Sequence, residues 1–131
     1  MSIRIRFIQR KKPVETGLDR EFQWLCSSLG FCEPVDRDRT AIAILRKLIE
    51  SSREGGGLRS DDISELVGKS RGATVNHLNK LIGAGLVIRR ANRYELRERT
   101  LANTIRELHR DMERIFEDLE RTAEEIDERV E

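Results

Sequence analysis

A mainly α-helical fold with a small β-wing and a long C-terminal helix is predicted by three features of the 131-residue sequence. Apolar residues recur at helical spacing between Ala41 and Ile82, broken by glycines where the chain must turn. A β-prone run over 86–96 follows, with arginines on both sides of a two-residue break. The stretch from Thr100 to Val130 then contains neither proline nor glycine and repeats apolar residues every 3.5 positions. These features divide the chain into an N-terminal basic strand and helix (1–37), a compact domain (38–97) and a C-terminal helix (98–131).

Within the first part, Ile3, Ile5 and Phe7 alternate with Arg4 and Arg6, a strand pattern with one apolar and one cationic face, and Pro13 ends it. A helix is expected from about Thr16 to Leu29, with Phe22, Leu25, Cys26 and Leu29 on one face, Trp24 partly covered beside it, and Gly30 closing it. A break at 33–35 precedes a helix capped by Asp38, whose Ala41, Ile42, Ile44, Leu45, Leu48 and Ile49 make a broad apolar face. That face is expected to bury against Ile63, Leu66, Val75, Leu78 and Ile82. The glycine triplet 55–57 reads as a flexible linker, because the Lys-Ser/Thr ending of a phosphate-binding loop is missing.

The segment from Ser60 to Tyr94 carries the chemistry. Ser60 is placed to cap a short helix, with Asp61 and Asp62 at the positive end of its dipole, and Gly68 suits the left-handed stop. Ser70 restarts a second helix in which Val75, Leu78 and Ile82, with Leu81 flanking them, face inward and Gly72, Ala73, Asn76, Asn79 and Lys80 face out. Two short helices about a glycine turn, followed by a basic hairpin, are the layout of a winged helix-turn-helix. Gly72 and Ala73 permit close approach to a major groove, and Asn76, His77 and Lys80 have the reach for base edges or phosphates. Ser70 and Arg71 sit at the helix N-terminus, where open N–H donors suit a phosphate oxygen. Asn92, which tolerates positive φ, is expected to turn the hairpin and present Arg89, Arg90 and Arg93 at the wing tip.

Residues 70–87 resemble the recognition helix and first wing strand of archaeal winged-helix transcriptional regulators of an ArsR-like kind, and the resemblance is clearest over Thr40 to Leu96. It implies a three-helix core with a β-wing, usually as a homodimer acting at promoters. The Cys-Val-Cys motif of the metal-responsive branch is absent from this sequence, so metal sensing does not follow from the resemblance.

Charge distribution agrees. The net charge is only +1, but residues 1–12 carry +5 and residues 69–99 carry +6, against −4 over 13–68 and −6 over 100–131. Such polarity orients a molecule on a polyanion, so double-stranded DNA is the expected partner. With 37% hydrophobic and 37% charged residues, and no apolar run of signal-peptide or membrane-spanning length, a cytoplasmic protein without a membrane partner is expected.

In the tail, Ile105, Met112, Leu119 and Ile126 share one heptad position, and Leu101, Leu108, Ile115 and Thr122 the other, with Phe116, Ala123 and Val130 widening the seam. This seam is expected to hold two copies together, the competing arrangement being a helix folded over its own domain. The function that follows is a sequence-specific transcriptional regulator, a homodimeric repressor placing two recognition helices in major grooves of a pseudo-palindromic operator. The alternative is a non-catalytic protein-interaction module of a transcription or other assembly. An enzyme is disfavoured, since no nucleophile–base pair, ligand cluster or cofactor loop is legible, and no cofactor or metal is expected. Cys26 and Cys32 read as a reduced, inert pair, with redox or metal sensing as a minority alternative. No residue pattern names an effector.

Overall fold

The computed structural model describes residues 12, 17–30 and 39–130. The expected N-terminal strand, the break at 33–35, the Asp38 cap and Cys32 lie outside the described residues. Helices α1 (Leu18–Ser28) and α2 (Thr40–Arg53) come first, then strand β1 (Leu58–Arg59), helices α3 (Ser60–Val67) and α4 (Arg71–Gly83), strands β2 (Val87–Arg90) and β3 (Arg93–Leu96), and helix α5 (Leu101–Arg129). The strands form one antiparallel sheet in the order β1-β3-β2. The mainly α architecture with a small wing and a long terminal helix is therefore the observed one.

Ile44, Leu45 and Leu48 of α2 are fully buried at the centre, packed with Ile63 of α3, Leu78 and Leu81 of α4, Leu86 and Val87 leading into the sheet, and Tyr94 and Leu96 of β3. Each such side chain contributes about 1.5–3 kcal/mol by leaving water. Helix α2 is further tied to the wing where the Ser52 hydroxyl oxygen accepts the Leu96 N–H at 3.1 Å. Helix α1 lies against α2 through buried Phe22 and Cys26, with the Arg46 guanidinium 5.6 Å from the Phe22 ring centroid and 3.3 Å from Asp19.

Several local expectations are corrected. Leu66 is more than half exposed, and Val75 and Ile82 are half-buried, whereas Thr74 is fully buried; Leu81, expected beside the inner stripe, is fully buried too. The inner stripe of α4 is thus Thr74, Leu78 and Leu81, about one residue round from the expected one. A threonine fits there because its hydroxyl donates to the Ser70 carbonyl oxygen at 2.9 Å, which satisfies the one polar atom it buries. In α3 the buried face is Ile63 with half-buried Val67, four residues apart, and Leu66 leans off it.

The glycine triplet is structured where a linker was expected. Gly55, at φ +88°, donates to the Ser52 carbonyl at 3.1 Å and Gly56 donates to that of Ser51 at 3.0 Å, the paired closure of a Schellman motif. Gly57 lies so close to β3 that an added Cβ would meet Arg93 Cβ at 3.0 Å and the Tyr94 carbonyl oxygen at 3.1 Å. Strand β1 runs straight into α3, so Ser60 is already helical and the capping position falls to Arg59, which makes no side-chain cap.

The terminal helix starts at Thr100, whose hydroxyl accepts the Asn103 N–H at 3.1 Å. Its first turns belong to the domain: Thr104 and Leu108 are buried, and Leu101 and Ile105 pack against the core. A largely covered ion pair between Arg97, just after β3, and Asp111 fastens the helix to the wing. That hydrogen bond and the Arg97 charge hold the Asp111 carboxyl below the usual carboxylate range, and the partner raises the Arg97 guanidinium further.

Candidate nucleic-acid interface

The turn between α3 and α4 is set by Gly68 at φ +69° and by two backbone bonds, Gly68 N–H to Glu65 O and Lys69 N–H to Ser64 O. Ser70 then caps α4, its hydroxyl oxygen accepting the Ala73 N–H at 3.2 Å. This hydroxyl is therefore engaged in the helix itself, while the N–H groups of Arg71 and Gly72 occupy the first two helical positions, where no intrahelical acceptor exists. Opposite the buried Thr74, Leu78 and Leu81, the residues Gly72, Asn76, Asn79 and Lys80 are exposed, and Ala73 and His77 lie at the boundary. An added Cβ at Gly72 would meet nothing within 4 Å, so the surface beside Asn76 is open to an incoming groove. Arg71, well exposed, has its Nε 3.3 Å from Asp61 Oδ1 across the turn.

In the wing, Arg90 pairs with Arg93 in register around a two-residue turn. The positive φ, +56°, falls on Ala91 and not on Asn92, which corrects the expected turn chemistry. Arg89, Arg90, Asn92 and Arg93 are all exposed, as the wing reading requires. The Arg89 guanidinium lies 5.6 Å from the Tyr94 ring centroid, Arg90 Nε lies 3.4 Å from Glu95 Oε1, and Arg93 donates to the Gly57 carbonyl oxygen at 3.0 Å. Their stems are thus held against the sheet with positive charge facing water. The geometry suits multidentate contact with a polyanion.

Residues 38–89 match the model of the family described as bacterial regulatory protein, arsR family. The segment is similar to an arsR-family helix-turn-helix domain. The match covers less than half of the chain, from just before α2 into β2, and so takes in both helices of the motif and the first wing strand. The similarity concerns the type of this segment and says nothing of the expected archaeal source. No significant match occurs among curated proteins or solved structures. Among the described residues no group of three or more His, Cys, Asp or Glu side chains is placed to hold a metal ion, and no helix is long and apolar enough to cross a membrane.

Beyond the matched residues, the apolar seam of α5 divides in two. Leu108 is buried, Leu101, Ile105 and Met112 are half-buried, and Ile115, Phe116, Leu119 and Ile126 are each more than half exposed. The helix runs 29 residues, about 43 Å at 1.5 Å per residue. Its second half leaves the domain behind.

Proposed function

We propose that this chain is a sequence-specific transcriptional regulator that works as a homodimer, most simply a repressor that occludes a promoter, through two recognition helices set in successive major grooves. The observation that carries the reading is the exposed face of α4, with Gly72, Asn76 and Lys80 beside an open helix N-terminus, inside an arsR-family domain. At that terminus, capped by Ser70, the N–H groups of Arg71 and Gly72 and the Arg71 side chain serve a phosphate, Asn76, His77 and Lys80 the groove, and Arg89, Arg90, Asn92 and Arg93 the flanking backbone. The dimer contact is the distal part of α5, where Ile115, Leu119 and Ile126 continue the line begun by Leu101, Ile105, Leu108 and Met112. Four large apolar side chains left in water on one helix call for a covering surface. A dimer places half-sites about 34–36 Å apart.

A gel shift with genomic fragments upstream of the chain's own gene, repeated with Lys80→Ala and Arg93→Ala, tests this. Retarded fragments whose shift weakens at least several-fold in both variants are expected. Absence of any shift at low ionic strength, or a shift indifferent to both substitutions, favours the interaction-module alternative, for which the same exposed α5 stripe supplies a docking face.

A further inference from the structure

Strand alternation sorts the wing sheet into two faces. Leu58 pairs with Tyr94 and Val87 with Leu96 on the inner side, so Arg59, Arg93 and Arg90 fall on the outer side. The register aligns these three: Arg59 pairs with Arg93, and Arg93 pairs with Arg90, in a row that crosses all three strands. All three are exposed. Like charges directly opposite one another in a sheet are unfavourable, so folding alone does not account for the row. Strands lie about 4.8 Å apart, which spreads three cations over about 10 Å. A duplex presents about three phosphate charges per strand over that distance.

The row depends on two further details. Gly57 lets β1 lie against β3 where a Cβ would be crowded, 3.0 Å from Arg93 Cβ, and its carbonyl oxygen accepts a hydrogen bond from the Arg93 guanidinium. Glu95, held to Arg90, neutralises one charge on this face, whereas Arg59 makes no side-chain hydrogen bond or ion pair with any described residue. We infer that the outer face of the wing sheet is a phosphate-backbone clamp in which Arg59, two strands away from β2, extends the DNA contact beyond the wing tip. This rests on the DNA-binding reading above. The contact is electrostatic, so it adds affinity equally to cognate and unrelated sequences.

The test is fluorescence anisotropy of the full chain on a mixed-sequence duplex between about 50 and 200 mM NaCl. Wild type is compared with Arg59→Gln, Arg59→Lys and a control, Arg106→Gln, on exposed α5. Arg59→Gln is expected to weaken binding about threefold to tenfold and to flatten the plot of log K against log salt by about 0.9 for each protomer engaged. Arg59→Lys and Arg106→Gln keep the wild-type slope. The Tm of Arg59→Gln should not fall, because a like charge has been removed from the row. Unchanged affinity and slope in Arg59→Gln, with wild type binding normally, overturn the clamp and leave the DNA reading intact. Failure of wild type to bind any duplex overturns both.

Discussion

At the scale of single residues, the sharpest contrast is between two backbone positions, one that has glycine and needs it and one that lacks it. Ala91 sits at φ +56°, a conformation that costs an L-residue about 1–2 kcal/mol. Ala91→Gly removes that strain and adds unfolded-state entropy, so a net gain of about 0.5–1 kcal/mol in urea unfolding is expected. A loss of stability would show that the turn holds Ala91 without strain. Gly57→Ala, by contrast, drives a methyl into the Arg93 Cβ and the Tyr94 carbonyl oxygen and should cost about 1–3 kcal/mol by the same measurement. Neither position is legible from local sequence. By residue type Asn92 is the better positive-φ candidate, so Ala91 does not stand out, and the requirement at Gly57 comes from a strand 36 residues away. Ser70 is the opposite case: a serine before an apolar helical repeat is a local signal, and its cap is made within three residues.

At the scale of elements, one periodic pattern in α5 runs from a buried first part into an exposed second part. Its anchoring depends on Thr104, whose hydroxyl accepts the Glu98 N–H at 3.1 Å and donates to Thr100 O at 2.8 Å, and on the Arg97–Asp111 pair. Asp111→Asn leaves a largely covered guanidinium without its counter-charge. The cost should lie between that of an exposed pair and that of a buried one, about 1–2 kcal/mol at neutral pH. Because the folded carboxyl is held below its unfolded value near 4, its contribution is complete above about pH 4 and disappears as the pH falls through the lowered value. The stability gap between wild type and Asp111→Asn, followed by denaturant titration from neutral to acid pH, should therefore close in strong acid. A gap that stays constant would show that the pair contributes by packing alone. The heptad reading found the stripe of α5, but Thr104 does not stand out among apolar neighbours, and the point where core contact ends depends on where the domain's surface stops.

At the scale of the molecule, the proposal of a DNA-reading domain held in duplicate by the distal α5 stripe assigns the two roles to separate parts, so each can be tested alone. Leu119→Glu puts a charge on an already exposed position, so the unfolding midpoint at high dilution should hardly move. Sedimentation at micromolar concentration should then report a monomer, and operator affinity should drop by at least tenfold because two half-sites no longer bind as one. A variant that stays dimeric would place the partner contact elsewhere on the chain.

Local sequence sets the order and type of the helices from α2 onward, the glycine stop at Gly68, the Ser70 cap and the basic hairpin. These are local effects: periodicity, capping and φ preference act within a few residues. Tertiary contacts turn Thr74 inward ahead of Val75, make 58–59 a third strand, and bring Arg59 into one row with Arg93 and Arg90. Each of those depends on segments distant along the chain meeting in a particular register. A two-residue strand carries no periodicity of its own, so only its partner reveals it.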